Sequence, residues 1–334
     1  MSSEKLLDER HRLLQIREHL GVRSRPDDKS FESEVVAACA KKIQPIVNAH
    51  SSCPGEEIIG AIAKEFGVHF EEVHSREDIE SLQRKYLVEQ RELGFGMLEA
   101  ELSDPTVDAL MFQRMWAIGE ARDRWIAVIN SQVSRSRGYW SRAHELIHRV
   151  AEPPQQRLPF YRHREDHANR VERIVDLGAA EIAFPRSVFA KHVLSVTGRE
   201  LTWDLVQAIR KRFAPTASLQ ASAKALLRYW PQPAFLLVAS LRGRLGRPTQ
   251  DVALRLDVDG FNDGAALSKV LFFTNMRVPT TSPVWGAFDS GQTVSDFENL
   301  STWVTSDGDG LPNRRAFTSG LRLNSVVYGL ISLV

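Results

Sequence analysis

The 334 residues of this chain, 43% hydrophobic and 25% charged with a formal net charge of +1, are enough for about two or three soluble globular domains. No run approaches the length of about 18 apolar residues that a membrane span needs, and residues 1–14 are densely charged rather than signal-like. Its two cysteines are too few for a secreted disulfide framework, so a cytoplasmic protein without a membrane partner is predicted.

The predicted elements begin with a helical N-terminal extension at residues 1–50. After it, residues 54–68 carry apolar side chains at helical spacing and end at a glycine, which indicates an amphipathic helix. A short β-prone run follows at residues 68–73. These two elements are expected to open a domain that spans residues 51–185.

A strand, a turn and a helix are predicted in succession further along this domain. Residues 125–130 are apolar and β-branched, which is typical of a strand, and the polar run at 131–138 predicts a turn. The helix that follows, from about residue 139, contains the pattern HExxH at residues 144–148. We expect the edge of the strand to pair with an extended substrate beside this helix.

The HExxH pattern combines a metal site with a general base. His144 and His148 are four residues apart, so both imidazoles lie on one face of a helix and can reach one tetrahedral ion. Glu145 is offset around the helix and can take a proton from a water molecule that the metal activates. The pattern therefore predicts a metallopeptidase.

A catalytic zinc with one open position needs a third protein ligand. Residues 171–185 show a helical pattern that stops at a proline, and within it Glu172 and Asp176 share a face. Glu172 is the predicted third ligand, and Asp176 is predicted to accept a proton from the outer nitrogen of a ligand histidine. Glu165 is the competing ligand, and the alternative for Glu172 and Asp176 is a solvated helix face.

At these residues the chain resembles the ImmA/IrrE-like zinc peptidases. Members carry a motif near RF-x-x-AHE-x-x-H and a second near E-x-x-AN-x-FAAELLMP, which correspond here to residues 139–148 and 172–185. Aligning the AAE triplet at residues 179–181 and the final proline places the family's ligand glutamate on Glu172 without a gap. The resemblance covers residues 50–230 and favours Glu172 over Glu165.

Three departures from the family pattern fall on the two helices. Ile147 stands where a glycine is common, Val175 and Asp176 replace Ala-Asn, and Gly178 replaces an aromatic residue. They concern the packing around the second helix more than the metal ligands.

The resemblance implies a zincin-like α+β metallopeptidase domain that binds one Zn²⁺ per chain through His144, His148 and Glu172. It further implies a hydrolase that acts in transcription regulation: the protein substrate would be a helix-turn-helix repressor, cleaved in a stress, DNA-damage or anti-phage response. Glu145 would be the catalytic residue.

The region after residue 185 begins with a predicted helical segment at residues 186–232. Residues 201–250 contain eight basic residues and one acidic residue, and two short helices joined by a turn at 214–217 resemble a helix-turn-helix. Arg210, Lys211 and Arg212 are the predicted nucleic-acid contacts. The alternative is a helical scaffold whose basic side chains are merely solvated.

The tail at residues 233–334 is predicted to be a β-rich domain, because short β-prone runs alternate with Gly, Asp, Asn and Pro turns. The runs lie at residues 252–258, 269–273, 303–305 and 321–333. The resemblance to IrrE-like proteins implies a GAF-like sensor here. A nucleic acid or a small molecule that binds after residue 185 is therefore the predicted activator.

Two acidic glycine-containing segments in the tail invite comparison with calcium loops. Residues 257–264 lack the acidic twelfth position of an EF-hand, where Ser268 stands, so a hairpin turn is predicted instead. Residues 307–310 are interpreted in the same way.

Other candidate ligands are weaker. His163 and His167 have helical spacing but belong to a strongly polar segment that favours a surface helix, although one of them or Tyr161 could stabilise an oxyanion over the metal. Cys53 could act as an inhibitory fourth ligand, but a free cysteine is more often a small buried hydrophobe.

A second function from a different class also fits the sequence. The chain could be a DNA-binding regulator in which the zinc is structural or non-catalytic, an alternative that the basic segment at 201–250 supports. An intact Glu145 argues against it, because a structural metal site needs no base.

Overall fold

The computed structural model describes residues 3–104, 106–114, 124–132, 135–153, 160–163, 169–196, 198–243, 252–304, 308 and 310–334. The chain divides into two compact units. The first comprises Met1–Phe189 with Thr216–Ser218, and the second comprises Ala190–Pro215 with Leu219–Val334. Helices and two sheets occur together in the described part of the chain, which confirms the α+β class.

The first unit holds the helices and strands of the first half of the chain. They are α1 (Ser3–Leu20), α2 (Phe31–Ala49), α3 (Gly55–Glu65), β1 (Val68–Val73), α4 (Arg76–Gln83), α5 (Leu98–Leu102), β2 (Val107–Gln113), β3 (Trp125–Asn130), α6 (Arg135–Ala151), β4 (Phe160–His163) and α7 (Arg170–Ala183). A π-helical turn at Arg84–Glu89 and a 3-10 turn at Leu93–Met97 follow α4. α8 (Arg186–Leu194) crosses into the second unit.

The four strands of the first unit form one mixed sheet in the order β1-β3-β2-β4. β3 is parallel to β1 and antiparallel to β2, and β4 is antiparallel to β2. The predicted strand at residues 125–130 is confirmed, but the prediction that it offers an edge to a substrate is wrong. β3 is paired on both sides, so β1 and β4 are the edge strands of this sheet among the described residues.

The first sheet has helical structure on both faces, which explains its apolar strands. All six residues of β3 are buried. On one face, Ile126 and Val128 belong to a core cluster with the stacked rings of Tyr86, Phe95 and Phe112, whose neighbouring centroids are 4.4 and 4.3 Å apart. On the other face α6 packs against β3, where its Gly138 approaches Ile129. The sheet thus fixes the helix that carries HExxH.

The second unit contains helices and a five-stranded antiparallel sheet. Its elements are α9 (Trp203–Phe213), α10 (Leu219–Tyr229), β5 (Ala234–Arg242), β6 (Ala253–Phe261), α11 (Asp263–Leu267), α12 (Pro283–Ser290), β7 (Val294–Asn299), β8 (Arg315–Leu323) and β9 (Val326–Leu333). The strand order is β6-β5-β9-β8-β7. α12 packs against the sheet at Gly320, where a Cβ atom would lie 2.6 Å from the Pro283 carbonyl oxygen.

The predicted β-prone runs of the tail have different outcomes. The run at 252–258 lies in β6, and the run at 321–333 is a hairpin whose turn contains Asn324 with φ 58°. Residues 269–273 form no strand, so that prediction is wrong. In the run at 303–305, Val304 forms one isolated bridge with Gly310, and Thr305 lies outside the described residues.

The predictions for the two acidic segments of the tail have different outcomes. Residues 257–261 continue β6, with a register shift opposite Leu236 and Leu237, and Asn262 caps α11 through its side chain. The predicted hairpin turn at 257–264 is therefore wrong. In the second segment, Asp307 and Asp309 lie outside the described residues.

Among the described helices, none has both the length and the apolar character needed to cross a membrane.

Candidate metal centre

Two adjacent helices carry the candidate ligands. α6 presents His144 and His148 on one face, and α7 presents Glu172 in its first turn. α7 begins where the Asn169 side chain accepts a hydrogen bond from the Val171 N–H at 2.9 Å, a cap that fixes the start of the helix. The helix predicted at residues 171–185 is thus observed at Arg170–Ala183.

Close packing of α6 and α7 sets the distance between the ligands. The buried Tyr139 hydroxyl donates to the Ala183 carbonyl oxygen at 2.5 Å, which ties the start of α6 to the end of α7. In the middle of the contact, Ile147 fills the space beside Gly178, where a Cβ atom would lie 2.9 to 3.0 Å from three Ile147 side-chain atoms. The two helices can approach this closely because residue 178 has no side chain.

His144, His148 and Glu172 converge on one point. The His144 Nε2 atom lies 3.2 Å from His148 Nε2 and 3.2 Å from Glu172 Oε2. The third side of this triangle, from His148 Nε2 to Glu172 Oε2, is 3.5 Å. Both histidines are buried, at 1% and 2% exposure. These three residues form a group that could hold a metal ion.

The triangle has the size that a tetrahedral zinc site requires. Ligand bonds of about 2.0 to 2.1 Å at tetrahedral angles place neighbouring donor atoms about 3.3 Å apart. The observed separations of 3.2, 3.2 and 3.5 Å bracket this value. Two imidazoles and one carboxylate are also a donor set of catalytic zinc sites, in which the fourth position is open. The residues present therefore fit a zinc ion.

Each histidine has a carboxylate on its outer ring nitrogen. His144 Nδ1 lies 3.0 Å from Asp176 Oδ1, and His148 Nδ1 lies 2.7 Å from Glu152 Oε1. An ionised carboxylate only accepts hydrogen bonds, so each imidazole donates through Nδ1 and directs Nε2 towards the ligand group. Asp176 therefore lies at the outer nitrogen of a candidate ligand histidine, as predicted.

Glu152 and Arg12 were missed by the sequence analysis. Glu152 follows His148 by four residues on α6, so the spacing rule that relates the two histidines could have identified it. Arg12 of α1 donates to Glu152 through Nη2 at 2.9 Å and through Nε at 3.3 Å. No local pattern connects residues separated by 140 positions, and only the folded chain reveals this contact.

The electrostatic field of the group is negative and favours a cation. Burial opposes ionisation of His148, but the charges and hydrogen bonds of Glu172 and Glu152 outweigh it and raise the His148 pKa to about 10. Burial likewise opposes ionisation of Glu172, and the two histidines nevertheless hold its pKa well below the usual range. A field that attracts a proton to these nitrogens also attracts a divalent ion.

Glu145 lies beside the ligands on α6. Glu145 is buried, with only 1% of the residue exposed. One residue along an α-helix corresponds to a rotation of about 100°, so its carboxylate projects to one side of the face shared by the two histidines. Such a group is placed to exchange protons with a molecule held next to the metal group.

The remaining predicted site residues are elsewhere. Cys53 is half-buried and lies outside the metal-binding group. His163 belongs to strand β4, so the surface helix predicted there is wrong at that residue. Glu165 and His167 lie outside the described residues.

The basic residues predicted to contact nucleic acid lie on α9 in the second unit. Lys211 and Arg212 are exposed, and Arg210 is partly buried. α9 packs through its opposite face, where Trp203 Nε1 donates to the Ser319 carbonyl oxygen at 2.9 Å. The exposed pair therefore faces away from the sheet.

The next helix, α10, is engaged with the sheet. It packs against β5 and β6. Lys224 lies 2.7 Å from Asp259, and Gln220 donates to the same carboxylate at 2.7 Å. These contacts do not favour α10 as a helix that reads DNA bases, since two of its polar side chains bind the protein itself.

Comparisons with known proteins add little. No protein-family model and no curated protein matches the chain. Among solved structures, the chain is similar to a Mycobacterium tuberculosis transcriptional regulator, at 10% sequence identity over 96% of this chain and 82% of the other, with a TM-score of 0.45. A likeness at this level carries no information about activity.

Proposed function

We propose that the protein is a zinc-dependent endopeptidase of the ImmA/IrrE-like type, with a zincin-like catalytic domain at residues 51–185. The observation that carries the proposal is the convergence of His144, His148 and Glu172 within 3.5 Å of one another, next to a buried Glu145. An HExxH helix alone is a sequence pattern. Together with a third ligand at tetrahedral spacing, it supports a catalytic site.

The residues divide the chemistry between them. His144, His148 and Glu172 would hold the ion, and a zinc ion bound there supplies Lewis acidity towards a water molecule and a scissile carbonyl group. Glu145 takes a proton from the attacking water and transfers it to the leaving amine. Asp176 and Glu152 keep the two imidazoles oriented through their Nδ1 atoms.

Strand β4 is the proposed docking site for the substrate chain. It lies between α6 and α7 in sequence and pairs only with β2 among the described residues. An extended peptide can add to such an edge through main-chain hydrogen bonds. This role replaces the one predicted for β3, whose two edges are already occupied.

The resemblance suggests the biological setting. The proposed substrate is a helix-turn-helix repressor, and cleavage would relieve repression in a stress, DNA-damage or anti-phage response. The second unit is proposed to receive the activating signal as a GAF-like sensor, with a nucleic acid or a small molecule as the activator.

Cleavage of a candidate repressor tests this function. We propose to incubate the zinc-loaded protein with a helix-turn-helix repressor encoded nearby and to follow a single cut by gel electrophoresis and mass spectrometry. Glu145→Gln should keep the zinc and lose cleavage. Glu65→Gln changes an exposed glutamate of α3 and should cleave normally, so it controls for the substitution itself. Equal cleavage by the Glu145→Gln and wild-type proteins would contradict the assignment.

The alternative function, a DNA-binding regulator with a non-catalytic zinc, rests on the exposed Lys211 and Arg212 of α9. The packing of α10 against the sheet weakens this alternative, because a helix-turn-helix needs a second helix that is free to enter a DNA groove. A protein that binds zinc and duplex DNA but cleaves no repressor would favour this alternative.

A further inference from the structure

The N-terminal helix α1 reaches the metal group, although it precedes the segment that resembles the peptidase family. Leu13 and Ile16 are buried at 3% and 0% exposure and dock the helix in the first unit. Glu9 accepts a hydrogen bond from the Arg170 N–H at 3.2 Å, at the start of the helix that carries Glu172. α1 is therefore docked in the first unit by apolar burial and is tied to the start of α7 by a polar contact.

This docking places the Arg12 guanidinium behind His148. Two nitrogens of Arg12 bind the two oxygens of Glu152, at 2.9 and 3.3 Å, so the carboxylate is gripped at both atoms. The oxygen that accepts the shorter of these bonds also accepts from His148 Nδ1 at 2.7 Å. The result is a continuous chain of contacts from α1 through Glu152 to a candidate metal ligand.

Arg12 also faces the second ligand helix. Its Nη2 atom lies 3.9 Å from Glu172 Oε1, the oxygen of that carboxylate opposite the one nearest the histidines. One guanidinium thus borders two carboxylates that surround the ligand group. Because the guanidinium is planar and rigid, it restricts the plane of the Glu152 carboxylate, and it also balances the negative charge of that carboxylate.

The contact between Arg12 and Glu152 is largely removed from solvent. The Glu152 side chain is 1% exposed, and the Arg12 side chain is 20% exposed. A buried carboxylate is stable only when it is paired and hydrogen-bonded, and Arg12 and His148 both contact the Glu152 carboxylate. Removal of Arg12 would take away two hydrogen bonds that hold this carboxylate towards His148.

We infer that Arg12 and Glu152 form a positioning pair for the metal centre, and that α1 is an integral part of this centre. Arg12 fixes the Glu152 carboxylate, and Glu152 fixes the ring orientation of His148 so that Nε2 points at the ion. The identification of the ion as zinc rests on the proposed function. The pair itself contacts neither substrate nor metal and acts through His148.

The test compares Arg12→Met with Arg10→Met in the full-length protein. Both substitutions remove an arginine of α1, but Arg10 is exposed and serves as the matched control. Zinc affinity is measured by competition with a chromogenic chelator. Arg12→Met is expected to bind zinc about 10-fold more weakly, at the low end of the range of about 10- to 100-fold for loss of a partner of a ligand histidine, because Arg12 acts through Glu152. Arg10→Met is expected to match the wild type.

A second measurement separates positioning from general destabilisation. ¹⁵N NMR of the zinc-bound protein reports which nitrogen of His148 carries the proton and whether the ring holds one orientation. Glu152→Gln and Arg12→Met should both broaden or shift the His148 Nδ1 resonance while leaving His144, which contacts Asp176, unchanged. A purely structural tie between α1 and α6 would lower the thermal unfolding temperature without this selective change.

The outcomes distinguish this inference from the proposed function. Wild-type zinc affinity together with an unchanged His148 resonance in Arg12→Met would overturn the positioning pair, while leaving a zinc peptidase intact. A wild-type protein that binds no zinc would overturn the proposed function. If Arg12→Met fails to fold, Glu152→Gln alone decides, since it removes the same link from the other end.

Discussion

Ile147 of α6 occupies the space that a side chain at position 178 of α7 would need. A Cβ atom built on Gly178 would lie 2.9 Å from Ile147 Cδ1 and 3.0 Å from two further atoms of that side chain. The large side chain on α6 and the missing side chain on α7 are therefore complementary, and together they allow the close approach of the two helices.

Gly178→Ala tests this packing. The added methyl group must displace the buried Ile147, so we expect a loss of about 1 to 3 kcal/mol in the free energy of unfolding, measured by urea denaturation. Gly60→Ala on α3 is the matched control: a Cβ atom there meets nothing within 4 Å, and replacing an exposed helical glycine should stabilise by up to about 1 kcal/mol. Equal effects at both positions would show that Ile147 gives way freely.

Double substitution makes that test more specific. Ile147→Ala alone leaves a cavity and should also destabilise. Combined with Gly178→Ala, it removes the clash, so the two losses should not add, and the double-mutant cycle should give a coupling of about 0.5 to 3 kcal/mol. Strict additivity would mean that the two side chains do not compete for space.

Asp176→Ala tests the outer contact of His144. Loss of the acceptor 3.0 Å from His144 Nδ1 should weaken zinc affinity by about 10- to 100-fold while the fold is retained. Chelator competition measures the affinity, and circular dichroism checks the fold. Asp289→Ala, an exposed aspartate of α12, controls for loss of one negative charge. Unchanged affinity would return Asp176 to the solvated face of α7.

The second unit offers a prediction about pH. Burial raises the pKa of Glu298, although hydrogen bonds from Thr318 at 2.6 Å, Trp303 at 3.0 Å and Ser282 at 3.2 Å lower it in part. A carboxyl group whose pKa is raised by folding binds its proton more tightly in the folded state. The stability that it contributes is complete below the pKa of the unfolded chain and is lost as the pH rises through the folded value.

The free energy of unfolding of the wild type, relative to that of Glu298→Gln, should therefore fall as the pH rises above about 4, the ordinary pKa of a glutamate. The difference removes the contribution of every other titrating group. Glu65→Gln changes an exposed glutamate and should show no such trend. A difference that is flat with pH, or that grows as the pH rises, would contradict the assignment of Glu298 as a carboxyl group with a raised pKa.

The activator prediction concerns three basic residues of α9, of which Lys211 and Arg212 are exposed and Arg210 is partly buried. If they bind phosphates, affinity for single- or double-stranded DNA should fall steeply with salt, and joint replacement of Arg210, Lys211 and Arg212 by alanine should flatten that slope. Replacement of three exposed lysines of the first unit, Lys29, Lys41 and Lys64, is the matched control. A salt slope unaffected by the α9 substitutions would leave a small molecule as the proposed activator.

Local spacing in the sequence predicts part of the candidate site. It places His144 and His148 on one face of α6 and Glu172 and Asp176 on one face of α7, and the two histidines do meet in the folded chain. Spacing alone leaves Glu165 as a competing third ligand, and the family resemblance favours Glu172. Arg12 could not be predicted, because its contact depends on how α1 docks across the unit. Likewise, the central position of β3 depends on its pairing with β1, which is distant in sequence, as well as with the preceding strand β2.

The wrong strand at residues 269–273 has an instructive cause. Val270 and Phe272 are buried while Leu271 and Phe273 are exposed, so the segment has the alternation of a strand. The alternation reports that one side of the segment packs on the core. Hydrogen-bonded pairing with a neighbouring strand is a separate property. At the start of the segment, Lys269 has φ 61°, which takes the backbone out of the extended conformation.

Metal analysis of ligand variants tests the central claim most directly. The purified wild-type protein should contain about one zinc per chain; His144→Ala and Glu172→Ala should lose it, whereas Glu145→Gln should retain it. Glu165→Ala is the decisive companion, because Glu165 is the competing ligand, and it should remain fully loaded. A loaded Glu172→Ala protein together with an empty Glu165→Ala protein would contradict the metal centre described here and move its third ligand to Glu165.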